Sequence, residues 1–173
     1  SGMTEKAKGR SVGSMRKRAL RCSPSRSNAC GLRCASDRSD IVKQEGEKAF
    51  ILTAAASQLC KLIMGIARDE GYRPIAIVRR DDQIPLLEKA GAAIVLNAEA
   101  PDFKQRLAET CKAEKPRIFL DAVTGPLAAT IFNAMPRRAR WIIYGRLDQT
   151  ETPIQEPGQL IFMHKKVEGF WLT

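Results

Sequence analysis

Residues 49–60 read Ala-Phe-Ile-Leu-Thr-Ala-Ala-Ala-Ser-Gln-Leu-Cys, an apolar run that leads through small residues into a helical pattern. A short, continuous apolar run is typical of a strand that is covered on both faces. In the pattern that follows, apolar residues recur at i, i+3, i+4, i+7 and i+8, namely Leu59, Leu62, Ile63, Ile66 and Ala67. Gly71 then supplies a stop signal. The stretch therefore predicts a buried strand that turns tightly into an amphipathic helix.

Further apolar runs follow this first one, with amphipathic segments between them. The first run is Ala49–Ala55, and the five that follow are Pro74–Arg79, Ala92–Asn97, Arg117–Ala122, Arg140–Gly145 and Val167–Leu172. Strands that alternate with helices over short connections form right-handed βαβ units. The prediction is an α/β fold: a Rossmann-type, doubly wound, six-stranded parallel sheet.

The charge of +10 is unevenly distributed along the chain. Residues 1–40 carry ten Lys/Arg and three Asp/Glu, whereas the other 133 carry 19 and 16. The first part is also rich in Ser, Arg and Gly, a composition that cannot bury enough apolar surface to fold. We therefore predict a basic leader over 1–40, disordered or non-native, and a dinucleotide-binding domain over 41–173. A nucleic-acid-binding leader is an alternative, disfavoured because aromatic residues are not interleaved with the basic ones.

Several classes of protein are disfavoured by what the sequence lacks. Its apolar runs are too short to span a bilayer, and its basic start has no apolar signal-peptide stretch, so a cytoplasmic protein is expected. No Ser/His/Asp set, metal cluster or P-loop appears, and His164 is the only histidine. No metal is predicted, and the catalytic residues stay unidentified.

The predicted site lies where the winding of the sheet reverses, outside the carboxyl ends of the first and fourth strands. Thr53–Gln58 and Asp121–Gly125 would line it. Small residues such as Ala55 and Ala56 let a pyrophosphate approach the backbone, and the first N–H groups of the helix attract an anion. Ser57 can cap that helix or donate to a phosphate. Because no GxGxxG is present, a turn needed only for packing stays an open alternative.

The end of the second strand indicates which dinucleotide binds. NAD sites usually place Asp or Glu about twenty residues after the glycine-rich turn. Here Arg79 and Arg80 stand at that place, and a guanidinium can hold a 2′-phosphate bidentately. The predicted cofactor is therefore NADPH. Alternatively, both arginines are solvated strand ends that are offset by Asp81 and Asp82.

The order and spacing of these pieces resemble the medium-chain dehydrogenase/reductase superfamily and, within it, the zinc-independent NADPH:quinone reductase group. The resemblance runs from roughly Asp40 to Thr173. It is carried by Ala54–Leu59, Leu87–Asn97, Phe119–Gly125, Trp141–Arg146 and Val167–Leu172. Three glycines of the group's turn are replaced by Ser57, Gln58 and Cys60, and Ala98 stands where many members have Tyr.

The resemblance implies a set of coenzyme contacts. Pyrophosphate contacts fall on Ser57, Gln58 and Leu59, and 2′-phosphate contacts on Arg79 and Arg80. The nicotinamide would lie near Val123, Tyr144, Gly145, Ile161 and Phe162. The position of Thr124 and Gly125 at the end of the fourth strand adds them to the candidate site.

The resemblance also implies a function: the NADPH-binding domain of an oxidoreductase that transfers hydride to a quinone or an α,β-unsaturated carbonyl compound. Superfamily members have a separate catalytic domain that these residues do not resemble, so a truncated, poorly active chain is expected. A homodimer through the sixth strand is expected as well. The alternative is a non-catalytic NADP(H)-binding or sensing module.

Overall fold

The computed structural model describes residues 42, 48–154 and 156–170. The leader predicted over residues 1–40 lies outside them, so the division of the chain at residue 40 stays a prediction. The strands are β1 (Ala49–Leu52), β2 (Arg73–Val78), β3 (Ile94–Asn97), β4 (Ile118–Asp121), β5 (Arg140–Ile143) and β6 (Lys166–Gly169). The helices are α1 (Gln58–Asp69), α2 (Ile84–Ala90), α3 (Phe103–Glu114), α4 (Gly125–Ala134) and α5 (Gly158–Phe162), with a 3-10 turn at Asp81–Gln83.

The six strands form one parallel sheet in the order β3-β2-β1-β4-β5-β6. This confirms the predicted doubly wound α/β fold. β1 ends at Leu52 rather than at the predicted Ala55, because the chain already turns there toward α1. The run predicted over Val167–Leu172 forms β6 one residue earlier, and its last two residues lie outside the described part of the chain. None of the helices described here is long and apolar enough to cross a membrane.

Each face of the sheet packs against its own pair of helices. Phe50 and Leu52 of β1 pack on one face with the buried side of α1 and with Leu87 of α2. Ile51 points the opposite way and packs with α3 and α4. All three side chains are at most 1% exposed. Because burial stabilises each such side chain by about 1.5–3 kcal/mol, the alternation along β1 fixes both layers and places its carboxyl end between them.

Trp141 connects the core to the carboxyl edge of the sheet. Its ring stacks on Phe119 with centroids 5.7 Å apart and lies 5.2 Å from the ring of Phe132. Its indole Nε1 donates to Oδ2 of Asp121 at 2.9 Å. Trp141, the largest fully buried side chain in the described part of the chain, thus also supports the last residue of β4.

Lys165 links α5 to the end of α4 at the amino edge of the sheet. It is 3% exposed, and its Nζ donates to the carbonyl oxygens of Phe132 (2.7 Å) and Asn133 (3.1 Å) near the end of α4 and to Oε1 of Gln159 (2.6 Å). These bonds satisfy carbonyls that a helix end leaves without partners. Since α4 begins at the carboxyl edge, its last turn and α5 lie at the opposite edge.

Lys165 makes stability depend on pH. Burial lowers the pKa of Lys165 from 10.5 to about 8, an effect that the charge of an ionised Cys111 opposes. Burial raises the pKa of Cys111 from 9.0 to about 11. Between pH 8 and 9 the unfolded lysine holds more protons than the folded one, so the free energy of unfolding should rise with pH. Above pH 9, ionisation of the unfolded Cys111 opposes this rise.

The measurement is urea unfolding at pH 7, 8 and 9 for the wild type and Lys165→Met. The unfolding free energy of the wild type minus that of Lys165→Met should become more positive as the pH rises. A difference that is the same at all three pH values would contradict the pKa shift.

Candidate functional site

A cleft of about 600 Å³ opens at the carboxyl edge of the sheet, between the ends of β1 and β4. This is the point where the winding reverses, and the volume falls in the range of about 300–1,000 Å³ that is usual for small-molecule sites. Its lining is Thr53, Ala54, Ala55, Ala56, Ser57, Ile77, Val78, Arg79, Arg80, Gln83, Val123, Leu127, Leu147, Asp148 and Gln149.

The turn after β1 forms one wall of the cleft. Ala54 has a φ of +49°, a left-handed conformation that is uncommon for residues with a side chain. The N–H of Ser57 donates to the carbonyl oxygen of Ala54 at 2.9 Å and closes the turn. Ala54 therefore takes a conformation that glycine adopts more readily. Its side chain is a single methyl group, so a ligand in the cleft can come close to the backbone of this turn.

The first turn of α1 offers free backbone donors. Ser57 Oγ accepts from the N–H of Cys60 at 3.2 Å, which caps the helix and leaves the hydroxyl hydrogen available. Among the described residues, the N–H groups of Gln58 and Leu59 have no hydrogen-bond partner. With the helix dipole behind them, these groups can bind an anion.

The first turn of α4, at the same edge, is partly covered, and its second residue, Pro126, has no N–H group. Residues 146–152, here called the strap, run across it. The N–H of Asp148 donates to the Val123 carbonyl at 2.8 Å, and Thr124 Oγ1 donates to the Asp148 carbonyl at 3.1 Å. The N–H of Gly125 donates to Thr152 Oγ1 at 2.9 Å. The first two residues of α4 therefore offer no free N–H group, whereas the first two residues of α1 offer two.

The strap supplies a wall that the sequence did not predict. Leu147, Asp148 and Gln149 line the cleft, and Leu147 is 71% exposed. Gly145 lets the chain reach this place, because a Cβ there would lie 3.0 Å from the carbonyl oxygen of Ala122. The available signal was position alone: the strap follows the end of β5 at the carboxyl edge.

Asp121 organises the floor of the site. It is fully buried, and its Oδ1 accepts from the Thr53 hydroxyl and from the N–H of Val123 at 2.9 Å. Its Oδ2 accepts from the Trp141 indole at 2.9 Å and from the N–H of Thr124 at 3.1 Å. The sequence placed Asp121 only in a lining segment, yet the carboxylate does not line the cleft and joins the ends of β1 and β4 to Trp141 of β5.

Thr124 is held in a strained conformation above Asp121. Its φ of +67° and ψ of −156° lie in a region that is essentially reserved for glycine, at a cost of about 1–3 kcal/mol. It is 5% exposed and does not line the cleft, whereas its neighbour Val123 does. The hydrogen bonds to Asp121 and the strap offset the strain.

Two predicted nicotinamide neighbours lie behind the cleft wall. Tyr144 packs with the α1 layer, and its hydroxyl lies 3.4 Å from Cys60 Sγ. That thiol also donates to the Thr53 carbonyl at 3.5 Å, so Cys60 fills the position of the group's last glycine by fitting between helix and strand. Tyr144 and Gly145 are not lining residues.

Ile161 and Phe162 do not come near this cleft. Both belong to α5, at the amino edge of the sheet, and they are 69% and 76% exposed. The contacts of Lys165 with the end of α4 keep them there. Of the predicted residues, the cleft lining includes Ala55, Ala56, Ser57, Arg79, Arg80 and Val123. It does not include Gln58 or Leu59, and it leaves Ile161 and Phe162 far away.

The charges of the cleft are two guanidiniums and a carboxylate. Arg79 and Arg80 are exposed where β2 ends, and Arg80 Nε lies 3.4 Å from Asp82 Oδ1. The pKa of Asp148 is lowered first by hydrogen bonds from the backbone and side chain of Thr150, with Arg79 and Arg146 contributing. Asp148 thus stays charged opposite the arginines.

A parallel sheet with an open helix N-terminus and a cationic strand end at its switch point defines a dinucleotide-binding α/β domain. The sequence model described as zinc-binding dehydrogenase matches residues 59–173. The chain therefore belongs to this family of the medium-chain dehydrogenase/reductase superfamily, which confirms the predicted resemblance.

Individual relatives agree with this assignment. A solved structure from Mesorhizobium loti, described as an NADPH:quinone reductase, is 69% identical with a TM-score of 0.80 and matches 83% of this chain. The mitochondrial enoyl-[acyl-carrier-protein] reductase of Schizosaccharomyces pombe is 28% identical over 72% of this chain. A mutant enoyl thioester reductase from Candida tropicalis, 21% identical over 74% of this chain with a TM-score of 0.64, shares the fold.

The chain spans only part of these relatives. The matches cover 41% of the Mesorhizobium loti chain, 35% of the Schizosaccharomyces pombe protein and 37% of the Candida tropicalis chain. Within the described residues, no group of three or more His, Cys, Asp or Glu could hold a metal ion.

Asp121→Asn should lower the free energy of unfolding by about 1–3 kcal/mol, because an amide NH₂ cannot accept from the Trp141 indole or the Thr124 N–H and so leaves buried donors unpaired. Urea unfolding measures the change. Asp69→Asn is the matched control, since Asp69 is 68% exposed in a surface ion pair and should shift stability by less than about 0.5 kcal/mol. An Asp121→Asn protein as stable as the wild type would show that the carboxylate does not organise the site.

Proposed function

We propose that this domain binds NADPH in the cleft between β1 and β4 and presents its nicotinamide for hydride transfer to a quinone or an α,β-unsaturated carbonyl compound. The observation that carries the proposal is that Ser57, which caps α1, lines the same cleft as Arg79 and Arg80. The free N–H groups of Gln58 and Leu59 follow Ser57 directly along the chain. NADPH is the cofactor expected of this domain, and relatives are described as an NADPH:quinone reductase and as an NADP complex.

The residues present fit a dinucleotide. The N–H groups of Gln58 and Leu59, with the Ser57 hydroxyl, would hold the pyrophosphate. Arg79 would hold the 2′-phosphate; it makes no ion pair within the described residues, whereas Arg80 is engaged with Asp82. Ala54, Ala55 and Ala56 carry only single methyl groups, so this wall still admits a backbone approach although Ser57 and Gln58 replace two of the usual glycines.

The nicotinamide end would lie against the fourth and fifth strands. Val123, Leu127 and Leu147 give this part of the cleft apolar walls, which can exclude water from the coenzyme. Bound NADPH would supply the hydride. The walls contributed by this chain position and shield the coenzyme, and the surface that orients the acceptor would come from the catalytic domain that superfamily members carry.

The dimer predicted through β6 is supported by the exposure of that strand. β6 pairs with β5 on one side, and Val167 on it is 38% exposed. An open, partly apolar strand edge favours pairing with a second strand. A homodimer that continues the sheet across β6 is therefore part of the proposal.

Arg79→Ala/Arg80→Ala should weaken NADPH binding about tenfold or more, because each charge-assisted hydrogen bond to a phosphate contributes about 1.5–3 kcal/mol before solvent screening. The affinity for NADH, which lacks the 2′-phosphate, should stay nearly constant. Fluorescence titration of both coenzymes measures the two changes.

Arg68→Ala is the matched control, since this arginine pairs with Asp69 on the surface and does not line the cleft. It should leave both affinities unchanged. If the double variant lost NADH and NADPH affinity equally, the arginines would not be the 2′-phosphate ligands.

The polypeptide of residues 1–173 should bind NADPH but oxidise it slowly with a simple quinone. Hydride transfer needs donor and acceptor held about 3–3.5 Å apart in a closed site, and the described residues supply only the coenzyme side. Loss of absorbance at 340 nm with and without quinone measures the rate. Steady quinone-dependent turnover by this polypeptide would refute the need for a second domain.

A further inference from the structure

Four charged residues follow β2 in the order Arg79, Arg80, Asp81 and Asp82. Both arginines line the cleft, but the two aspartates do not. A carboxylate after the second strand is the group that binds the ribose diol of NAD, and its charge repels a 2′-phosphate. The orientation of Asp81, next to the arginines, therefore decides whether the run favours a phosphate.

A hydrogen bond from the neighbouring strand holds Asp81. Asn97, the last residue of β3, donates from Nδ2 to Asp81 Oδ1 at 2.8 Å. Asn97 stands opposite Val78 in the sheet register and is 8% exposed. Its position comes from the sheet itself and not from the loop that carries the aspartate.

The second contact of Asn97 fixes which way its amide points. Its Oδ1 accepts from the N–H of Glu99 at 2.9 Å. A backbone N–H can only donate, so the amide oxygen must face Glu99 and the NH₂ must face Asp81. The Asn97 NH₂ is thus a donor with a fixed direction, and a carboxylate is a strong acceptor for it.

The other aspartate is held less firmly. Asp82 pairs with Arg80 at 3.4 Å, and both side chains are more than 60% exposed, so this pair contributes little. A phosphate can replace Asp82 as the partner of Arg80. Asp81, by contrast, is tied to a buried group and stays outside the cleft lining.

We propose that Asn97 is a specificity-determining residue: by holding Asp81 against β3, it keeps that carboxylate away from the coenzyme ribose and leaves the cleft selective for NADPH over NADH. This inference rests on the proposed function. It assigns the preference to two features, the cations that attract the extra phosphate and the amide that withdraws the adjacent anion.

Asn97→Ala tests the proposal, with both coenzymes titrated against each variant. The freed carboxylate can turn toward the ribose, so the Kd for NADPH should rise about three- to tenfold while the Kd for NADH stays constant or falls. Asn97→Ala/Asp81→Ala should restore the NADPH affinity to within about twofold of the wild type, because no carboxylate remains to be freed.

Asp81→Asn tests the same proposal without changing the buried residue Asn97. Its amide oxygen still accepts from Asn97, so the fold is kept and the charge is removed. If Asp81 is already withdrawn, neutralising it should change the ratio of the two Kd values by less than about twofold. A severalfold tightening for NADPH would show that Asp81 faces the coenzyme in the wild type and would overturn the proposal.

Two further outcomes separate the possible failures. Equal weakening of both coenzymes by Asn97→Ala, or no recovery in the double variant, would show that Asn97 only supports the fold and would overturn this inference. If the wild type bound neither coenzyme, the proposed function itself would fail. Circular dichroism of each variant identifies any that do not fold.

Discussion

The buried carboxylate of Asp121 accepts hydrogen bonds from a hydroxyl group at the end of β1, from an indole of β5 and from two N–H groups of its own turn. This one group joins the ends of β1 and β4 to a side chain of β5. The floor of the cleft therefore has a fixed shape. Trp141 also packs between two aromatic rings, so it belongs both to the site and to the core. A substitution that disturbs one of them therefore also disturbs the other.

A second constraint is the inequality of two helix N-termini at the same edge. The strap engages the Gly125 N–H at the start of α4, whereas the first turn of α1 is capped only by Ser57. Both helices have the dipole that attracts an anion, but within the described residues only α1 has free N–H groups on its first two residues. This difference supports the proposed position of a diphosphate at α1, although the turn lacks the usual glycines.

The charge run after β2 shows how the selectivity of the site is divided among elements. Local sequence brings two cations and two anions to the same strand end, a combination that by itself favours neither dinucleotide. The sheet then separates them, because Asn97 of β3 engages Asp81 while the arginines stay at the cleft. Coenzyme preference is in this sense a property of two strands and not of one motif.

The sequence by itself determined the order of strands and helices, the open turn before α1 and the arginine pair, because periodicity, small residues and the end of a strand are local features. It could not determine the role of Asp121 or Asn97, the strap over α4 or the position of α5. Those depend on contacts between side chains far apart in the chain, such as Thr53 with Asp121 and Lys165 with Phe132. The helix that carries Ile161 and Phe162 lies at the far edge because Lys165 is buried against the end of α4, and only tertiary packing decides that.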